Sequence, residues 1–234
     1  MDAPKWKRPL DLMLLFALLP VVVPLACVLS ALVKLVSRGP VFFTQNRVGF
    51  RGQRFRLYKF RTMHLNADSN IHANYFASLM DGNSPMRKLD DSGDKRLIPF
   101  GRFMRASGLD ELPQLINVLR GEMSMVGPRP CTIYEYERYQ PRHKLRFRSL
   151  PGLTGLWQVS GKNSTTFEEM IDLDIRYADM ATLWLDFKIV LKTPLTLWGQ
   201  ISEQMPNSIG RVRRPVSSAN QGAEVQERYY GKNN

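Results

Sequence analysis

From Leu10 to Val33 the chain is apolar almost without interruption. Lys5, Lys7 and Arg8 precede the run and Lys34 and Arg38 follow it. At about 1.5 Å per residue, a helix of this length reaches across a hydrocarbon core of about 30 Å. Pro20 and Pro24 fall in its middle. Each lacks an N–H and clashes with the carbonyl four residues back, so the pattern predicts a kink or break near the centre. Basic residues mark cytoplasmic flanks, and here both flanks are basic. A bent helix that enters and leaves on one face satisfies both observations; a kinked single span and an uncleaved signal anchor are the alternatives. The small-residue spacing of a cleavage site does not follow the run, so a cleavable signal is not expected.

Beyond Arg38-Gly39-Pro40 the period changes. Val41 to Gln45 reads as a short strand, and Arg54 to Phe60 alternates Phe55 and Leu57 with cations across a turn at Gly49 to Gly52, which predicts a hairpin with one positive face. The stretch from His64 to Asp94 is polar and broken by Gly82-Asn83-Ser84-Pro85, and it reads as a partly helical insertion. Pro99 to Ala106 and Glu111 to Arg120 predict two short helices, the second closed by Gly121. A rigid loop at Val126 to Pro130, a polar helix near Ile133 to Tyr139 and a turn at Pro151 to Gly155 follow. A stronger helix starts near Thr166, where Thr165 with Glu168 or Thr166 with Glu169 fits a capping box. Its buried stripe is Phe167, Met170, Ile171 and Ala178, with Asp174 in the middle, a carboxylate that needs a partner there. Leu183 to Trp198 is apolar nearly all round and suits either core or bilayer surface. The expected class is α/β in the α+β sense: a small, mostly helical domain with a short β-hairpin, attached to an N-terminal re-entrant helix. The divisions are 1–38 for the membrane helix and flanks, 39–205 for a cytoplasmic catalytic domain with interfacial helices, and 206–234 for a disordered tail.

Charge narrows the partners. Lys and Arg outnumber Asp and Glu by 33 to 21, and Arg38, Arg47, Arg51, Arg54, Arg56, Lys59 and Arg61 cluster just after the apolar run. Such density suits anionic headgroups or phosphorylated ligands. Nucleic acid is the rival, but no helix-turn-helix, zinc-finger or RNP-like pattern supports it, and it is not expected as a partner. Cys27 lies in the apolar run and Cys131 after a proline, which does not suggest a disulfide framework and points to a reducing compartment.

Asp110-Glu111 at a helix start is the sharpest chemical candidate. Acidic residues are common in a first helical turn for structural reasons alone. The same position also keeps a carboxylate ionised, fit to attack phosphorus or to hold Mg²⁺. Arg102 and Arg105 lie just upstream. Phosphate-loop, dinucleotide, zinc-protease and serine-elbow motifs are absent, and His64, His72 and His143 are isolated. Carboxylate and arginine chemistry beside a membrane remains, which is equipment for phosphoryl transfer.

Four segments then stand in order: Lys59-Phe60-Arg61-Thr62-Met63, Leu109-Asp110-Glu111-Leu112-Pro113-Gln114-Leu115, Ser124-Met125-Val126-Gly127-Pro128-Arg129-Pro130, and Pro151 through Val159. Together they closely resemble the bacterial sugar transferase family, the monotopic polyprenyl-phosphate phosphoglycosyl transferases, from about Lys7 to Trp198. The resemblance implies a re-entrant helix with both ends cytoplasmic, at the inner membrane, broken at Pro20 and Pro24. The family's Ser-Pro at the break is here Val23-Pro24. It also implies that Asp110 is the nucleophile and Glu111 its acidic partner, with both available to Mg²⁺. Asp110 would take a phosphosugar from a UDP-sugar, release UMP, and pass the phosphosugar to a polyprenyl phosphate such as undecaprenyl phosphate, beginning a lipid-linked glycan for exopolysaccharide, capsule or O-antigen. Lys59 and Arg61 match a family motif and are assigned to phosphate or acceptor contacts. Arg105 is assigned to substrate phosphate, Arg129 and Pro130 to the nucleotide, and Asp174 to support of the site. The same transfer without a covalent intermediate, and a non-catalytic basic membrane-surface module, are the competing readings. A homo-oligomer is possible through the apolar 183–198 surface.

Overall fold

The computed structural model describes residues 3–65, 70–81, 85–86, 94, 96–161 and 164–204. The apolar run forms one helix, α1 (Lys7–Val36), which continues through both Pro20 and Pro24. The helix is therefore not broken at the prolines. Both prolines are exposed and four residues apart, so the carbonyls they leave unbonded, those of Phe16 and Pro20, lie along one outer face.

Both ends of α1 are fastened to the same folded unit. At its start, the buried Lys7 donates from Nζ to the Val126 carbonyl (2.7 Å), Tyr177 Oη (2.7 Å) and Asp186 Oδ2 (2.5 Å). Asp11 Oδ1 accepts from Ser124 Oγ at 2.8 Å and from the Met125 amide at 2.9 Å. At its end, Leu29 and Val33 pack on Phe60, Ile98 and Met104. Met13, Phe16, Val21, Val28, Leu32 and Leu35 remain exposed along the helix.

The hairpin is β1 (Phe42–Val48) and β2 (Arg54–Phe60), antiparallel, with Gln45 opposite Leu57 and Arg47 opposite Phe55. β1 runs three residues beyond the expected Gln45 because β4 (Cys131–Thr132) joins its other edge and pairs with Arg47 and Val48. Two further strands, β3 (Ser124–Val126) and β5 (Gly152–Thr154), pair in parallel. At three residues each they are too short to show a period of two. Their backbones nearly touch: a Cβ on Gly152 would lie 2.0 Å from the Gly127 nitrogen, and one on Gly127 2.1 Å from the Leu150 carbonyl oxygen. Only glycine fits this crossing.

Helices fill the remainder. α2 (Asn70–Asp81) lies in the 64–94 insertion and α3 (Gly101–Ser107) follows it. The expected single helix from Glu111 is instead a 3₁₀ turn, Leu109–Gln114, leading into α4 (Leu115–Arg120), with Pro113 inside the turn and unable to donate to it. The short α5 (Ile133–Arg138) and α6 (Leu156–Val159) precede α7 (Phe167–Met180). Thr166 with Glu169 forms the capping box of α7, while Thr165 accepts from Trp157 Nε1 at 2.7 Å. Phe167, Met170, Ile171 and Asp174 are buried as expected, but Tyr177 rather than Ala178 completes the stripe. α8 (Leu183–Gln204) passes through Pro194; Leu185 and Ile189 enter the core, and Trp184, Phe187, Leu191, Leu195 and Trp198 stay exposed. The mostly helical α+β class matches expectation. The breaker at 82–84 and the tail from 206 fall outside the described residues.

Candidate active site

The site forms where β2 meets the 3₁₀ turn. The buried side chain of Asn117 on α4 holds β2 in place: its Oδ1 accepts from the Tyr58 amide at 3.2 Å and its Nδ2 donates to the Arg56 carbonyl at 2.7 Å. This imitates a neighbouring strand and blunts the edge. Lys59 follows directly. Its ammonium lies 2.6 Å from Glu111 Oε1 and 3.9 Å from Asp110 Oδ2. The Asp110 side chain is 7% exposed and that of Glu111 35%. One cation thus bridges two adjacent carboxylates of unequal exposure.

Lys59 and Glu111 line a cleft together with Arg47, Leu57, Gln114, Arg129, Pro130, Gly152 and Gln158. Four of the expected residues therefore meet here: Lys59, Glu111, Arg129 and Pro130, with Asp110 beside them. Arg129 is presented by a loop held on both sides. The Gly127 amide donates to the Thr154 carbonyl at 2.8 Å, and the Gly152 amide to the Pro128 carbonyl at 2.9 Å. Proline on either side of Arg129 restricts the backbone further.

Three further expected residues are not among those that line the cleft. Arg61 is buried, and its guanidinium donates to Ser37 Oγ (3.0 Å) and to the carbonyls of Ser37 (3.0 Å), Arg38 (2.9 Å) and Pro40 (2.7 Å). It fastens the exit of α1 rather than facing the cleft. Arg105 is half-buried on α3, where its charge helps lower the pKa of Asp94, chiefly set by the Arg96 hydrogen bond. Asp174 is 1% exposed and pairs with the equally buried Arg146. Arg146 in turn donates from Nη2 to the Arg129 carbonyl and from Nη1 to Tyr139 Oη, both at 2.8 Å. Asp174 thus reaches the cleft through Arg146 and the backbone of Arg129. Burial raises its carboxyl to about 6, against the pull of Arg146 and Arg129. Burial disfavours the Arg146 charge, yet Asp174, followed by Tyr139, Cys131 and Glu135, together outweigh this and the net shift is upward.

Arg47, Gln114, Gln158 and Arg146 were not assigned roles from the sequence. Arg47 stood in the basic cluster, but the expected strand ended at Gln45, two residues short of it, so the register that sets Arg47 opposite Phe55 was not visible. Arg146, within His143-Lys144-Leu145-Arg146-Phe147-Arg148, carries no periodic signal at all. Cys27 is exposed on α1 and Cys131 buried in β4, both free.

Among the described residues no three of His, Cys, Asp and Glu gather into a metal-binding group. Asp110 and Glu111 together offer what Mg²⁺ commonly takes from protein, one or two carboxylates, with phosphate oxygens completing the shell. The donor set fits an open site shared with a phosphorylated ligand.

The bacterial sugar transferase family matches the chain over residues 3–200. The galactosyl transferase CpsE of Streptococcus agalactiae is 46% identical over 156 residues, 66% of this chain and 34% of that protein. The exopolysaccharide production protein ExoY of Sinorhizobium fredii is 40% identical over 190 residues, 80% of this chain and 83% of its own length. A UDP-glucose:undecaprenyl-phosphate glucose-1-phosphate transferase of Caulobacter vibrioides is 38% identical over 195 residues, 80% of this chain and 67% of its own length. The chain therefore spans about a third of the streptococcal relative and most of the rhizobial one.

Proposed function

The chain belongs to the bacterial sugar transferase family, and from that premise we propose that it is a sugar-phosphate transferase that moves a sugar-1-phosphate from a UDP-sugar to a polyprenyl phosphate. The observation that carries this reading is the buried Asp110 beside Lys59 and Glu111, next to a cleft that also holds Arg47 and Arg129. Cations beside a carboxylate suit the binding of a diphosphate and its attack at phosphorus.

The reaction runs in two displacements. An Asp110 carboxylate oxygen attacks the phosphorus bonded to the sugar, the bond to the UMP oxygen breaks, and UMP leaves with that electron pair. A phosphate oxygen of the polyprenyl carrier then attacks the same phosphorus, the bond to Asp110 breaks, and the carboxylate is regenerated. A covalent intermediate lets a soluble donor and a membrane-bound acceptor use one site in turn. Lys59 neutralises Glu111 and Asp110 until the anionic donor arrives. Asp110 and Glu111 would hold Mg²⁺, which supplies charge neutralisation to the diphosphate when bound.

The membrane seat is read from the apolar surface. Exposed side chains of α1, Phe100 and Phe103 near α3, Ile116 and Leu119 on α4, and the outer face of α8 together offer the bilayer a broad apolar surface. A helix of about 45 Å anchored at both ends to one domain leaves no free end to emerge on the far side. This supports a re-entrant or in-plane α1, with the domain on the cytoplasmic face of the inner membrane. The Caulobacter relative carries UDP-glucose and undecaprenyl phosphate in its name, which supports both substrate classes here.

The test is incubation with a panel of UDP-sugars and Mg²⁺, first without a lipid acceptor. The expected result is UMP release no greater than the enzyme present, with a phosphosugar adduct by intact mass in the wild type and none in Asp110→Asn. Adding undecaprenyl phosphate should restore turnover and give lipid-linked sugar. UMP release that depends wholly on the acceptor, with no adduct, would replace the covalent route with direct transfer.

A further inference from the structure

Arg47 is a cleft residue that the fold leaves poorly matched. It is 7% exposed yet lines the cleft beside Lys59, Glu111 and Arg129. Among the described residues it makes one hydrogen bond, a long one of 3.3 Å from Nη1 to the Pro130 carbonyl. Its Nε is buried without a partner. Its electrostatic setting is also unfavourable: burial and then the charge of Arg129 push its pKa below the usual value, with Glu135 and Glu111 among the groups pulling it back. An arginine does not escape such a position by losing its proton. The cleft holds a second orphan, the buried Oε1 of Gln158. Structural arginines in this fold look different. Arg61 spends its guanidinium on four oxygens, and Arg146 has Asp174.

We infer that Arg47 is a substrate-binding residue whose guanidinium takes phosphate oxygens of the nucleotide sugar's diphosphate, opposite Arg129. This rests on the reading of the cleft as the nucleotide-sugar site. Phosphate is the anion whose geometry the planar fork matches, and two guanidiniums held near one another without an anion repel until one arrives. The polyprenyl acceptor also carries phosphate. A cleft lined by three cations and two amides suits the polar nucleotide better than a lipid tail.

The experiment measures binding of UDP and uridine to the full-length protein in nanodiscs, wild type against Arg47→Met. It adds retention of polyprenyl phosphate supplied in the same lipid. The expected result is a UDP affinity lowered on the order of tenfold to a hundredfold, the loss of one charge-assisted pair, with uridine affinity unchanged within about twofold and polyprenyl phosphate retention unaltered. The ligand-free melting point of Arg47→Met should not fall, because the charge removed has no strong partner to lose. Arg47→Lys keeps the charge without the fork; it should show a smaller but still phosphate-selective loss and serves if the methionine variant does not fold. Equal weakening of UDP and uridine, or an unchanged UDP affinity, would overturn the assignment. Loss confined to polyprenyl phosphate would overturn it in favour of an acceptor contact. Wild-type protein that binds no UDP would remove the nucleotide reading itself, whereas normal UDP binding by both variants would remove only Arg47 from it.

Discussion

Asp110 and Asp174 are both buried carboxylates, and their surroundings give them opposite tasks. Asp110 has an ammonium 3.9 Å away that is itself more firmly paired with Glu111, so this contact is a shared one. Asp110→Asn should reduce lipid-linked product by about a thousandfold or more while shifting the melting point by no more than about 2 °C, since the isosteric amide removes a nucleophile and little packing. Glu111→Gln should lower turnover by about tenfold to a hundredfold and shift the Mg²⁺ concentration for half activity upward. Asp174, in contrast, is closed in with Arg146. Asp174→Ala would strand that buried guanidinium, and the expected cost is about 3–5 kcal/mol in unfolding free energy, read by denaturant titration. Burial holds its carboxyl near 6 in the folded protein against about 3.9 in an unfolded chain. The folded state therefore keeps an extra proton between these values. The stability this group contributes is complete below about pH 4 and is lost as pH rises through about 6. Melting points of wild type and Asp174→Asn, compared from pH 4 to 7, should show that component in the wild type alone.

At the scale of elements, α1 is joined to the domain by polar contacts as much as by packing. Lys7→Met leaves Asp186 buried without its ammonium, and about 3–5 kcal/mol of stability should be lost. Lys7→Met with Asp186→Leu should recover part of that, which a double-mutant cycle reads directly. Much of this element was legible beforehand: a long apolar run with basic ends declares itself, and the alternation of Phe55 and Leu57 with cations declares β2. The capping signal at Thr166 and Glu169 was legible too, although two registers fitted and only the position of Trp157, which claims Thr165, decides between them. The rest depended on partners distant in the chain. β3 and β5 are three residues each and exist because Gly127 and Gly152 let two loops cross. The split of the 111–120 segment follows from Pro113, a local signal that the helical pattern on either side obscured. Of the site, Lys59, Asp110, Glu111, Arg129 and Pro130 were found through their motifs. Arg61, in the same motif as Lys59, lies one residue past the end of β2, where Ser37 and the carbonyls of Arg38 and Pro40 take its guanidinium, a long-range contact the motif does not show, and Asp174 was recognised without its partner because nothing in the spacing ties position 174 to position 146.

For the whole molecule, the arrangement of α1 makes a topological prediction. Thiol labels placed just before Lys5 and just after Arg38 should react from the same side of intact inner-membrane vesicles; reaction from opposite sides would establish a true span. Replacing Pro20 and Pro24 with leucine restores two backbone hydrogen bonds over a length that can cross the bilayer, so it should pull against the contacts at both ends, with lower melting temperature and lower activity as the measured result. Leu15 belongs to the same core cluster as Leu57, Leu115 and Ile189, and Lys7 is the counterion of Asp186. The membrane segment is therefore not a leash on a finished enzyme but part of its interior. A copy released into the cytosol before its first helix has found lipid has not completed its fold: either the helix docks and leaves its outer apolar face in water, or it stays away and opens the core. Such copies should be cleared by proteolysis, and the steady-state amount of the protein should rise and fall with insertion capacity rather than with transcript, an outcome that pulse-chase labelling in cells with limited insertase would show.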